Sequence, residues 1–157
     1  MNEEQGASVG DDVPLDELKR SFSETQDPAL RSAMLEAMAD REEEGPVAPI
    51  VTNALSDPDE GVRETALNLL KSSYDPVPIG PLASMATLDK NPDFRTEAMT
   101  LMTDQLFTED RTKEDWATVT AALNRGLSDP DANLRELAAM LLPELSQSAQ
   151  PNSKSGF

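Results

Sequence analysis

The stretch DPDEGVRETALNLL, Asp57–Leu70, organises the whole chain, because it recurs in altered form three more times. The other copies are DPALRSAMLEAM from Asp27, NPDFRTEAMTLM from Asn91 and DPDANLRELAAMLL from Asp129. With Arg31, Arg63, Arg95 and Arg135 set in register, the copies are spaced by 32, 32 and 40 residues, a period that belongs to stacked helical pairs. The residue before each arginine is apolar: Leu30, Val62, Phe94 and Leu134. Three and four places after it stand Met34 with Leu35, Ala66 with Leu67, Ala98 with Met99, and Ala138 with Ala139. Six and seven places after it come Ala37 with Met38, Leu69 with Leu70, Leu101 with Met102, and Leu141 with Leu142. These offsets are one face of a helix at 3.6 residues per turn. Alanine three places after the arginine in three copies leaves room for a neighbouring helix to approach closely.

A weaker amphipathic segment precedes each copy: Leu15, Leu18 and Phe22; Val47, Ile50, Val51, Ala54 and Leu55; Ile79, Leu82, Met85 and Leu88; Trp116, Val119, Ala122, Leu123 and Leu127. An Asp-Pro or Asn-Pro turn separates the two helices of each pair. In the short copies Asp27 and Asn91 serve as N-caps with Pro28 and Pro92 in the first turn, and in the long copies Asp59 and Asp131 are the better caps. The short copies have two fewer residues between Asp or Asn and the arginine, so tighter turns are expected there. The expected architecture is an all-α, right-handed α-solenoid (α-α superhelix) of about four helical hairpins over residues 15–145, with units at about 15–45, 46–74, 76–106 and 112–145. Residues 1–14 are expected to form a disordered acidic arm and residues 146–157 a disordered polar tail. The longer last interval contains FTEDRTKEDW at 107–116, an insert of about eight residues whose plain explanation is a longer loop, with Thr112 or Asp115 starting the Trp116 helix. The acidic run REEEGP at 41–46 is a solvated turn into the second unit.

The segments LSDPDEGVRETALNLL at 55–70 and LSDPDANLRELAAMLL at 127–142 resemble the HEAT-repeat family, particularly its short bacterial form first noted in phycobilisome lyases. The resemblance implies a ladder of turn aspartates and second-helix arginines linking neighbouring repeats. It places Asp57 and Asp129 with Arg63 and Arg135 in that ladder, and Arg31 and Arg95 in the looser units with Asp27 and Asn91. Asn91 carries no charge and would weaken the ladder there. The resemblance also implies that second helices line a concave groove.

Composition narrows the chemistry. The 157 residues include 30 Asp plus Glu, 13 Lys plus Arg, no His and no Cys, for a net charge of −17. Disulfides, thiolate zinc sites, cysteine nucleophiles and histidine bases are excluded. Nucleic acid and anionic membranes both call for a surplus of basic residues, and few aromatics are available for base stacking, so no nucleic-acid partner is expected. No apolar run is long enough for membrane insertion. Neither a basic start nor an apolar stretch of a signal peptide opens the sequence, so a soluble cytoplasmic chain is the expectation, or a periplasmic or secreted one if a signal or anchor precedes it.

Carboxylates such as Glu64, Glu97, Glu136 and Asp104 fall on exposed helix positions, where a solvated face explains them without acid–base chemistry. No glycine-rich phosphate loop is present. DPDEG at 57–61 is superficially a calcium loop, but Asn68 stands where the last acidic ligand belongs. Met34, Met38, Met99 and Met102 fall on core offsets, where methionine fills space rather than binds copper. Histidine-dependent hydroxylases of this architecture are ruled out, basic DNA-glycosylase relatives have the opposite charge, and a lyase shares only the repeat pattern. No catalytic residues, metal or cofactor are therefore assigned.

The remaining second-helix positions, one and five after the arginine, form the expected binding face: Ser32, Glu36, Glu64, Asn68, Thr96, Thr100, Glu136 and Met140. This face suits a protein or peptide, and a basic partner surface complements it electrostatically. A monomeric, non-enzymatic interaction scaffold or adaptor is the leading expectation. The alternatives are a lyase-like or chaperone accessory for a prosthetic group, and an acidic inhibitor of a basic protein. Residues 1–45 carry thirteen acids and four bases, so acidity is densest at the N-terminal end and a basic partner would be steered there.

Overall fold

The structure is a computed structural model that describes residues 13–108 and 110–148. All the regular structure among these residues is helical: α1 (Leu15–Glu24), α2 (Pro28–Ala39), α3 (Ala48–Asn53), α4 (Glu60–Lys71), α5 (Ile79–Leu88), α6 (Pro92–Gln105), α7 (Lys113–Gly126) and α8 (Ala132–Ser148), with 3-10 turns at Glu42–Glu44 and Ala54–Ser56. The second helices start on side-chain caps that accept otherwise unpaired amides. Asp27 accepts from the N–H groups of Ala29 and Leu30, Asp59 from Val62, Asn91 from Asp93 and Asp131 from Leu134. Thr112 is the cap of α7, in a reciprocal box with Asp115. The expected arm lies outside the described residues up to residue 12. The expected tail lies outside them from residue 149, and α8 continues as helix to Ser148 rather than ending at 145.

The chain divides into two compact units, one ending at Ser73 and one beginning at Tyr74. In the first, α1 packs on α2, α2 on α4, and α3 against both. In the second, α5 packs on α6 and α7, and α8 on α6 and α7. Leu35, Met38, Val62, Ala66 and Leu67 are fully buried in the first unit, and Leu82, Ala98, Met99, Met102, Leu123, Leu134 and Ala138 in the second. Each large apolar side chain so buried contributes about 1.5–3 kcal/mol. Met34, Met38, Met99 and Met102 are core fillers. The small residues work as the pattern demands: a Cβ added at Gly126 would lie 2.8 Å from Met99 Cε and 3.1 Å from Ala138 Cβ, so α7 sits tightly on its neighbours.

The same offset is not covered everywhere. Leu30 is 37 % exposed whereas its equivalents Val62, Phe94 and Leu134 are buried, because no described helix precedes α1. Ala139 is exposed on α8, the last described helix, where Leu35, Leu67 and Met99 are fully buried. Leu88 and Leu127, placed on apolar faces by spacing, are exposed because the chain is turning away at the ends of α5 and α7.

The turns are uniform, not tighter in the first and third units. The cap stands four residues before the arginine in every copy, and the side chain two residues earlier accepts its backbone N–H: Thr25 Oγ1 from Asp27, Asp57 Oδ1 from Asp59, Asp89 Oδ1 from Asn91 and Asp129 Oδ1 from Asp131. Asp27 and Asn91 therefore correspond to Asp59 and Asp131, not to Asp57 and Asp129. Asp89 holds the turn position in the third unit, so Asn91 removes no charge from it.

Candidate protein-interaction face

Each of the four arginines folds back over its turn. Nη1 of Arg31, Arg63, Arg95 and Arg135 donates to the carbonyl six residues earlier, that of Thr25, Asp57, Asp89 and Asp129, at 3.0, 3.0, 2.8 and 2.7 Å. Two of them also reach the following turn within their unit. Arg31 donates from Nε and Nη2 to Asp57 Oδ2 at 3.0 and 2.6 Å, and Arg95 donates to both carboxylate oxygens of Asp129 at 3.0 and 2.8 Å. Arg31 also stacks on Phe22, 4.1 Å from the ring centre. Thus each aspartate is joined to the arginine of the preceding repeat, while Arg63 and Arg135 bind the carbonyls of Asp57 and Asp129 rather than their carboxylates. Burial pushes the Asp129 carboxyl up, but the Arg95 bond, the Asp131 N–H and the charges of Arg95 and Arg135 outweigh it and hold it below the usual carboxylate range. The Asp129 bond correspondingly raises Arg95. These pairs fix how one hairpin sits on the next, and leave little charge for outside chemistry.

Clefts flank the pairs. One of about 300 Å³ opens between α1 and α3, lined by Phe22, Ile50, Ala54 and Asn53 with Arg31 and Asp57. A counterpart of about 270 Å³ in the second unit is lined by Ala86, Thr87, Arg125, Gly126 and Asp129. Neither holds an acid–base pair outside the turn network. Among the described residues no group of three His, Cys, Asp or Glu could hold a metal ion.

The expected binding residues lie on the second helices. Glu36, Glu64, Asn68, Thr100, Glu136 and Met140 are exposed, and Ser32 and Thr96 are half-buried. In the first unit α2 packs against α4, so Ser32 and Glu36 stand on one helix and Glu64 and Asn68 on its neighbour. In the second, α6 packs against α8, which puts Thr96 and Thr100 beside the helix carrying Glu136 and Met140. The Thr96 and Thr100 hydroxyls donate to the carbonyls of Pro92 and Thr96 one turn back, which leaves their oxygens as acceptors. The chemistry of these faces is three carboxylates, one amide, hydroxyl acceptors and a thioether.

Arg41 and Arg111, neither of which falls in the repeated phrase, clamp the starts of hairpins. Arg41 Nη1 donates to the carbonyl of Val13 while its other nitrogens hold Glu44. Arg111 Nη2 donates to the carbonyl of Val77 at 2.9 Å and to Gln105 Oε1 at 2.8 Å, and Gln105 Oε1 accepts the Val77 N–H. Val13-Pro14-Leu15 and Val77-Pro78-Ile79 are the two matching openings, a Val-Pro-apolar signal that the sequence carries before α1 and α5.

Paired antiparallel helices, an arginine folded over each inter-helix turn and aspartates joining successive pairs define a helical-repeat protein. A family model described as HEAT repeats matches residues 14–102, and the chain belongs to that family. HEAT repeats are generally protein-interaction scaffolds and typically non-catalytic. No curated protein and no solved structure matches the chain. No helix among the described residues is long and apolar enough to cross a membrane.

Proposed function

We propose that the chain is a non-enzymatic scaffold or adaptor that holds a protein or peptide on the exposed faces of its second helices. The observation that carries this reading is the division of labour on those helices. One stripe makes the core, the arginine secures the turn, and a third stripe keeps Glu36, Glu64, Asn68, Thr100, Glu136 and Met140 open to solvent, with Ser32 and Thr96 half-buried beside them. Its carboxylates and the net charge of −17 favour a basic protein or peptide over any polyanion. Such a stripe recognises through complementary charge at its rim and through side chains such as Met140 that lose water on contact. The test is a cross-linking pull-down from native cells, followed by affinity measurement for the recovered protein with Glu64→Lys/Glu136→Lys. Both glutamates are exposed, so the helices should fold normally by circular dichroism while affinity falls about tenfold or more. Unchanged affinity would remove these faces from the account.

A further inference from the structure

The insert at 107–116 is not absorbed by the second-helix faces, and described residues on both sides of it are tied to the fold. Arg111, its side chain 10 % exposed, donates from Nε to the Gln105 carbonyl at 2.9 Å and to Thr108 Oγ1 at 3.0 Å, in addition to its bonds to Val77 and Gln105 Oε1. The Thr112–Asp115 box closes the other side. Asp110 sits at φ 65°, a left-handed backbone that a non-glycine residue adopts at a cost. Beside these bonds Phe107 is 59 % exposed, with its ring edge-to-face against Trp116 at 5.9 Å between centres. Asp104, Asp110 and Glu114, in the same short stretch, are exposed as well.

We propose that the Phe107–Trp116 pair is a second docking point, separate from the second-helix faces, for a peptide segment carrying Lys or Arg beside an apolar residue. Three features select that occupant. An exposed ring attracts a cation to its π face. Asp110 and Glu114, exposed and within a few residues of the pair in sequence, favour a cationic segment and repel an acidic one. The Arg111 bonds to Gln105, Thr108 and Val77 hold the flanks of the pair before binding, which limits the ordering cost. An apolar residue next to the cation covers the rest of the Phe107 ring, whose exposure otherwise leaves a large apolar surface in water.

Trp116 is the chain's single tryptophan, so its emission reports this point alone. The full chain is titrated with a synthetic dodecapeptide of alternating Leu, Arg and Lys, and with the counterpart bearing Glu in place of Arg and Lys. Affinity is measured in parallel by calorimetry. The basic peptide should give a saturable change in Trp116 emission and the acidic one none. Phe107→Ala should weaken binding about tenfold, and Glu114→Lys should weaken it several-fold, an exposed site whose change leaves the fold intact by circular dichroism. Glu64→Lys/Glu136→Lys should bind the peptide nearly as the parent does, which keeps this test separate from that of the second-helix faces. No saturable signal, equal binding by Phe107→Ala, or loss only in Glu64→Lys/Glu136→Lys would each overturn the proposal.

Discussion

Replacing Asp129 by alanine tests how the hairpins of the second unit are joined. The carboxylate holds Arg95 in a two-pronged bond at 3.0 and 2.8 Å and accepts the Asp131 N–H at 2.8 Å. The side chains of Arg95 and Asp129 are only 11 % and 8 % exposed, so water from the adjoining cleft replaces only part of what is lost. Breaking such a pair by removing one partner costs about 3–5 kcal/mol. Arg95 keeps its bond to the Asp89 carbonyl, which puts the expected loss at the lower end, about 3 kcal/mol, or about 6–12 °C in melting temperature. Urea denaturation of Asp129→Ala, Arg95→Ala and the double variant should show that the second substitution costs far less once the first is made. The Arg20–Glu17 pair, 64 % and 51 % exposed, is the control, and Glu17→Gln should leave the denaturation midpoint unchanged. Acidification adds an independent check. The folded carboxyl of Asp129 lies below its unfolded value of about 3.9, so its stabilisation is complete above that pH and fades as pH falls through the folded value. The gap between parent and Asp129→Asn should therefore narrow below about pH 4. Additive losses in the cycle, together with a gap that does not change with pH, would refute the pairing.

Other consequences are simpler to test. Thr52 is buried, and its hydroxyl has no partner, although Thr65, Thr87, Thr96, Thr100, Thr103 and Thr120 each donate to the carbonyl one turn back. Thr52→Val should raise stability by about 1 kcal/mol in the same denaturation assay. Gly126→Val should destabilise the second unit by about 1–3 kcal/mol, because its side chain would enter the space held by Met99, Leu134 and Ala138. Arg111→Met keeps the aliphatic stem but loses the bonds to Val77 and Gln105, and hydrogen exchange should quicken at residues 105–112 while α8 stays protected.

The helix faces and caps were legible because periodicity and capping are local: Leu35, Leu67 and Met99 are buried as their shared offset requires, and Asp59 and Asp131 cap as their spacing suggests. The turn register at Asp27 and Asn91 is not legible in the sequence, since the turn position two residues earlier is filled by Thr25 in one copy and Asp89 in another, and the shared proline aligns the wrong residues. Arg111 could not be weighed from a single arginine in a polar loop, because its partners Val77 and Gln105 come from other elements. Exposure at Leu30 and Ala139 was equally invisible, because a repeat pattern describes what a helix can bury and not whether a neighbour covers it. The binding residues were named by subtraction. Their exposure follows from the helix period, whereas the identity of what they touch depends on a surface this sequence does not encode.

Site-specific photo-cross-linking in native cells shows directly whether protein partners sit on the second-helix faces. Probes at Asn68 and Thr100 on those faces, and at Glu17 and Ser84 on exposed positions of first helices, would be compared by mass spectrometry. A shared protein adduct is expected at Asn68 and Thr100, lost in the Glu64→Lys/Glu136→Lys background and absent at Glu17 and Ser84. Adducts confined to Glu17 and Ser84, or unchanged by the charge reversal, would contradict a partner held on those faces.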